Sequence, residues 1–330
     1  MTMTSFLGAN NLVTGGRSKA VRFAIALGVA IGTSLSAYAV DDEKSHQPVK
    51  YEMIEDVVYG QKDGMGLTLD VLTPEKPKGI GVILVSSGGW KSGKSNVTAE
   101  NRSRLDREHW VQGMLQGGYT LFLARHGSSP RYLVSEMVDD IRRSVRFVRL
   151  NVERFHVDPN KLVITSGSSG GHLSLMVATT GDDGNPNSSD AVERTSSRVQ
   201  AVVAWFPPTD LINWGMPNGY KTIESLRPGL LSSIIGKVDA PEEPLKAISP
   251  IYHVSADDPP LYLVHGDRDL TVPVQQSKII KSKYEEVGLP VELVVHKGGG
   301  HTYWPGILDE YPAVWTWIDK ITADKTTAPK

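Results

Sequence analysis

Short apolar runs recur along the chain, each bounded by glycine, proline, serine or charged residues. "GIGVILV" (Gly79–Val85), "YTLFLA" (Tyr119–Ala124), "KLVIT" (Lys161–Thr165), "VQAVVAWF" (Val199–Phe206), "PLYLV" (Pro260–Val264) and "VELVV" (Val291–Val295) are almost continuously hydrophobic. Runs this short with no polar alternation predict strands buried on both faces of a parallel sheet. Between them the period changes. Val134, Val138, Ile141, Val145 and Val148 recur every three or four residues, which gives a helix one apolar face. Val274–Val287 and Pro312–Ile321 predict two further helices. Strands alternating with helices in this way argue for a doubly wound α/β sheet in one domain. The rhythm fails between Ile212 and Lys246, where an irregular amphipathic stretch (residues 212–246) reads as a small cap over a site or as a plain surface excursion.

The amino terminus follows another pattern. Arg17, Lys19 and Arg22 precede the apolar run "FAIALGVAIGTSLSAYA", which closes on Ala37-Tyr38-Ala39. A basic flank, an apolar stretch and an A-x-A end are the parts of a secretory signal peptide, placed here at residues 1–39. The run is short and rich in Gly, Ser and Thr, a poor permanent span, although an uncleaved anchor is the alternative reading. Residues 40–330 are then the exported domain, periplasmic or secreted, with no stable membrane association after cleavage.

Composition narrows the chemistry. The 330 residues are 40% hydrophobic and 22% charged, enough for a sizeable core in a soluble domain. A net charge of −2 offers nothing to nucleic acid or an anionic membrane. With no cysteine in the chain, disulfides, thiolate metal sites and a cysteine nucleophile are excluded together. No His-x-x-x-His or paired carboxylates with ligand spacing occur, so neither metal nor cofactor is expected.

The chemistry gathers in "KLVITSGSSGGHLSL" (Lys161–Leu175), a strand running into a glycine-rich turn and then a helix. A serine at the apex of such a turn is exposed as a nucleophile. Read literally, G-x-S-x-G selects Ser169; shifted back by one, with Ser166 for the first glycine, it selects Ser168. Both registers are physically possible. The second puts Ser168 at the sharp turn, lets Ser169 open the helix with its N–H free for an oxyanion, and leaves Gly170 and Gly171 where the helix crosses the sheet. Downstream, "HGDRDLTVP" offers Asp267 and Asp269 after a strand, and "HKGGGHTYW" offers His301 on a glycine-rich loop. Asp210 in "FPPTDL" also follows a strand and is an alternative acid. His172 and His265 read as structural hydrogen-bonding or packing residues, and His296 finishes a strand.

The stretch from Asp158 to Leu173 resembles, without a gap, the elbow of α/β-hydrolase esterases of the bacterial feruloyl- and acetyl-esterase-like branch, related to hormone-sensitive lipase. The resemblance runs from about Asp70 to His301 and implies a mostly parallel sheet with helices on both faces and a small insertion before the acid strand. It places the nucleophile on Ser168, with Ser166 and Ser169 departing from the family's glycine and alanine. It also assigns the acid to Asp269 and the base to His301. "VSSGGW" resembles the family's His-Gly-Gly-Gly-Trp, with Ser86 and Ser87 replacing the first two residues. The implied oxyanion hole is Gly88, Gly89 and Ser169, with Trp90 against the substrate. Phe206, Trp214 and Tyr303 are further candidates for a pocket lining.

The implied activity is a serine carboxylic-ester hydrolase, without cofactor, acting on small-molecule or carbohydrate-linked acyl esters. Two rivals share this fold: a serine peptidase like prolyl oligopeptidase, whose propeller has no counterpart in residues 40–330, and a non-catalytic binding protein. "GGWKSGKS" (Gly88–Ser95) also satisfies the nucleotide phosphate-loop pattern. No acidic strand end suits magnesium, and the hydrolase needs the same glycines, so the match reads as coincidence.

Overall fold

A computed structural model describes residues 49–93, 109–215, 223–226, 228–239, 241–301, 304 and 306–323. The segment read as a signal peptide, Lys94 and Ser95 of the phosphate-loop match, Tyr303, and part of the 212–246 insertion lie outside the described residues. Everything described belongs to one unit, Gln47–Lys330.

Eight strands form a single sheet: β1 (Tyr51–Lys62), β2 (Met65–Pro74), β3 (Gly79–Val85), β4 (Thr120–Ala124), β5 (Val157–Gly167), β6 (Ala201–Trp205), β7 (Leu261–Gly266) and β8 (Val291–His296). Their spatial order is β1-β2-β4-β3-β5-β6-β7-β8. β1 pairs antiparallel with β2 and β2 with β4; every later pairing is parallel. All six apolar runs are strands, with ends shifted by up to four residues. The hairpin β1–β2 went unread. Strand β1 is mostly exposed or half-buried, and its pairing with the mostly buried β2 is broken by bulges after Ile54 and Val58, so β1 lacks a clean period. Its turn was legible all the same: Asp63 (φ 47°) and Gly64 (φ 74°) are the Asp-Gly pair that two-residue hairpin turns select.

The helices are α1 (His109–Gln116), α2 (Val134–Leu150), α3 (Val152–Phe155), α4 (Ser169–Thr179), α5 (Ile223–Leu226), α6 (Leu230–Ile235), α7 (Glu242–Ala247), α8 (Gln275–Glu286) and α9 (Ile307–Ala323). Side chains alternate along each strand, so the sheet divides the core in two. Ile83, Phe122, Ile164 and Val202 pack on one face with α2, α4 and α8. Val82, Leu121, Val163 and Val203 pack on the other with α1 and α9. Helix α9 begins five residues before Pro312, the residue that the sequence pattern took as its start. The fold is the α/β-hydrolase fold, with helices on both faces of a mostly parallel sheet.

This topology brings the ends of β3, β5, β6, β7 and β8 to one edge. Helix α4 must cross the sheet closely to leave that edge. A Cβ on Gly170 would meet Ser166 Oγ at 2.1 Å and Val85 O at 2.9 Å, and one on Gly171 would meet Ser166 O at 3.0 Å. Only glycine allows the crossing.

Candidate active site

Strand β5 ends at Gly167 and α4 begins at Ser169, which leaves Ser168 alone in the turn at φ 55°, ψ −128°. A non-glycine residue held there costs on the order of 1–3 kcal/mol and needs neighbours that enforce it. Ser168 N–H donates to Trp205 O on β6 (2.9 Å), and its carbonyl accepts from His172 N (2.9 Å). Ser166 does more than keep the elbow small: its hydroxyl donates to Val85 O at the end of β3 (2.7 Å). Two other non-glycine residues with positive φ stand close by, Trp90 (57°) and Phe206 (40°).

His301 Nε2 lies 2.9 Å from Ser168 Oγ, and His301 Nδ1 lies 2.7 Å from Asp269 Oδ2. The carboxylate can only accept, so Nδ1 carries the proton and Nε2 is left to accept from the serine hydroxyl. Asp269 is itself fixed. Its Oδ1 accepts the N–H groups of Thr271 and Val272, each at 2.8 Å. Burial alone would raise its pKa, but hydrogen bonds from His265 and His301 outweigh burial and hold it down at about 2. Of the two, the His301 bond is the shorter; His265 Nε2 sits 3.4 Å from Oδ2 and donates mainly to Val272 O at 2.9 Å. The Phe206 ring stands edge-on to His301, centroids 4.9 Å apart. The structure thus joins Ser168, His301 and Asp269 in one hydrogen-bonded chain.

The alternatives fall elsewhere. Ser169 Oγ pairs with Ser87 Oγ at 3.0 Å and, among the described residues, meets no histidine. Asp210 turns its carboxylate onto its own loop, accepting from the N–H groups of Ile212 and Asn213 and the Asn213 amide, all at 2.9 Å. Asp267 accepts Gly298 N–H and so braces the loop that carries His301. His172 is fully buried and donates from Nε2 to Ile248 O while Nδ1 accepts Trp90 Nε1–H (3.2 Å). Burial pushes its pKa down to about 4, so it stays neutral. His296 lies 3.9 Å from Glu310 and packs on Trp304.

One expected oxyanion donor is corrected. Gly88 forms an isolated bridge with Lys91, and its N–H donates to Lys91 O at 2.9 Å, which takes it out of use. Among the described residues no carbonyl takes the N–H of Gly89 or of Ser169, the latter a free first-turn donor of α4. The loop after β3 lacks the family's histidine and is closed by serines. Ser92 Oγ–H donates to Ser86 O (2.6 Å), and Ser128 Oγ accepts Ser92 N–H (2.8 Å).

A cavity of about 250 Å³ opens onto the serine. Gly89 and Trp90 stand on the elbow side, Pro208 and Trp214 come from the loop after β6, and Thr271 and Val272 from the acid loop. Ile223 and Leu230, inside the 212–246 insertion, complete the lining, so the insertion does reach the site. Among the described residues, no lining side chain is ionisable. Phe206 backs His301 instead of facing the cavity. Two larger clefts, about 560 and 460 Å³, surround Arg143 on a charged surface that includes none of these residues.

Comparison with known proteins shows which family and fold the chain shares. The BD-FAE family pattern matches residues 69–284. Esterase LipC of Mycobacterium tuberculosis is 28% identical over 253 residues, covering 75% of this chain and 59% of LipC. The probable carboxylic ester hydrolase LipM of the same organism is 30% identical over 199 residues, covering 59% of this chain and 42% of LipM. The chain therefore spans about half the length of the curated relatives it matches. Among solved structures, a truncated carbohydrate esterase from gut microbiota aligns with TM-score 0.69 and 26% identity, over 84% of this chain and 99% of that one. The acetyl ester-xyloside bifunctional hydrolase of Caldicellulosiruptor lactoaceticus shares the fold at TM-score 0.65 and 22% identity, over 84% of this chain and 98% of that one.

Proposed function

The chain belongs to the BD-FAE family, and from that premise we propose that it is an exported serine carboxylic-ester hydrolase acting on small or carbohydrate-linked acyl esters. The observation that carries the reading is the chain Ser168–His301–Asp269 at a strained elbow. Ser168 Oγ attacks the acyl carbonyl carbon as its proton passes to His301 Nε2. Asp269 holds the imidazole in the tautomer that can accept and stabilises the cation that forms. The N–H groups of Gly89 and Ser169 receive the oxyanion, each contributing about 3 kcal/mol. As the tetrahedral adduct collapses, the ester C–O bond breaks and the leaving alkoxide takes the proton from His301. A water molecule, deprotonated by the same nitrogen, then attacks the acyl-serine and releases the acid.

The cavity supports an acyl group that is small and uncharged. At about 250 Å³ it falls just below the usual range of ligand pockets, and no ionisable side chain lines it among the described residues. Trp214, Ile223 and Leu230 act as a cap that limits acyl length. The relatives named esterases, and the neighbour named a carbohydrate esterase, support the substrate class. Export rests on the basic flank, apolar run and Ala37-Tyr38-Ala39 end. Hydrolysis of p-nitrophenyl acetate tests the activity. Ser168→Ala should lower kcat by about a millionfold, and Ser169→Ala by less than tenfold. The reverse order would make Ser169 the nucleophile.

A further inference from the structure

The loop that walls the cavity is held by a residue far away in sequence. Gln276, in the first turn of α8, is fully buried. Its Oε1 accepts the N–H groups of Thr209 and Asp210, both at 2.7 Å. Its Nε2 donates to Asn213 O (3.0 Å) and Trp214 O (3.1 Å). Thr209 Oγ1–H returns a bond to the Gln276 carbonyl at 2.6 Å. Two backbone donors and two backbone acceptors thus meet one primary amide, the only uncharged side chain of this reach with both functions. The loop so gripped ends in Trp214 and follows directly on Pro208, and both face the cavity beside Ser168.

The catalytic backbone does not depend on this grip. Ser168 N–H is held by Trp205 O, and Phe206 N–H by Val264 O (2.7 Å), both upstream of the wall. Asp269 is held by Thr271, Val272 and His301. The wall keeps contacts of its own as well, since Asp210 caps it and Ser249 Oγ accepts Leu211 N–H (3.0 Å). Loosening Gln276 therefore shifts the wall and leaves the elbow in place.

We infer that Gln276 is a positioning residue that sets acyl selectivity by fixing Pro208 and Trp214 against the bound acyl group. The inference rests on the reading of Ser168 as the nucleophile. Its test is kcat and KM for p-nitrophenyl acetate, butyrate and hexanoate, alongside thermal unfolding. Gln276→Glu keeps the shape and the acceptor but presents a carboxylate to two carbonyls. It should raise KM for the preferred ester about tenfold and flatten the acyl-length preference in kcat/KM by a similar factor. The value of kcat on acetate should stay within about threefold. Thr209→Val deletes only the hydroxyl bond and should shift the same ratio about threefold, which decides the matter if Gln276→Glu does not fold. Turnover by the wild-type chain with an unchanged acyl profile in the variants overturns the inference alone. An equal fall of kcat on every ester, with KM unmoved, overturns it too, because that is the signature of a general structural role. No turnover by the wild-type chain on any ester overturns the esterase reading and this inference with it.

Discussion

Replacing Asp269 with asparagine changes one atom, and the structure dictates which one. The Oδ1 position receives the Thr271 and Val272 N–H groups at 2.8 Å, so the amide oxygen of Asp269→Asn must stay there. The NH2 then occupies the place of Oδ2, facing His301 Nδ1 at 2.7 Å. A donor in that place forces His301 to accept on Nδ1 and to carry its proton on Nε2. The nitrogen that should take the Ser168 proton already has one. A triad locked in the wrong tautomer loses about 10⁴ in kcat, or about 5.5 kcal/mol of transition-state stabilisation. His265 Nε2–H, 3.4 Å from the same position, donates mainly to Val272 O at 2.9 Å, so its contact with the new NH2 is too weak to turn the amide against the two N–H groups on Oδ1. Initial rates on p-nitrophenyl acetate measure the loss, and the rate of Ser168 phosphonylation by a small organophosphonate reports the same defect without turnover. Circular dichroism melts check that the variant folds. A loss below tenfold in a folded variant refutes the tautomer argument. Asp210→Asn falling as far as Asp269→Asn refutes the assignment of the acid.

Two stability experiments follow from buried charge. Asp70 binds Arg125 through both oxygens at 2.7 Å, and the remaining partners of the guanidinium are Asp56 and Thr68. Asp70→Ala removes both bidentate bonds and leaves that cation paired with the half-exposed Asp56 alone, so a loss of about 3 kcal/mol is expected, read as a Tm fall of about 10 °C; a fall under 3 °C would contradict it. Acid should act in two windows. Burial holds His126 and His172 down at about 4, so between pH 6.5 and 4 the unfolded chain binds protons that the folded chain refuses. Stability then drops as pH falls through that window, by up to about 3 kcal/mol per histidine. Asp269, held at about 2, adds a further loss only below about pH 4, where the unfolded carboxyl protonates first. Urea midpoints at pH 7, 5.5 and 4.5 test the upper window, and equal midpoints would rule it out.

The elbow was legible as a strand end, two glycines at a crossing and a helix start, but these left both Ser168 and Ser169 open; the resemblance to the esterase elbow chose Ser168, which stands in the turn at φ 55°. The parallel strands were legible because burial on both faces makes them hydrophobic throughout, a property each carries in its own residues. Gly88 shows where such reading stops. Its place in the glycine loop resembles that of an oxyanion donor, yet whether its N–H is free depends on the path of the next three residues. That path folds back to the Lys91 carbonyl.

The cavity wall lay further out of reach, for a related reason. "PPTDLINW" carries no period, and its polar residues suggest an exposed loop. Its conformation is imposed from outside by an amide more than sixty residues later, on a helix whose own pattern gives no cue that Gln276 is buried. A polar side chain is cheap to bury only when every donor and acceptor is matched, and matching is a property of two segments together. Phe206 makes the same point in backbone form. Its φ of 40° is costly for a bulky residue, and it is held there by the Val264 carbonyl and by packing against Gly167 and His301. The residues proposed to act on the substrate thus lie in motifs that their own neighbours in sequence make recognisable. Residues that hold the pocket are announced only by their neighbours in space, and for that reason selectivity in this protein should change through substitutions that no motif would single out.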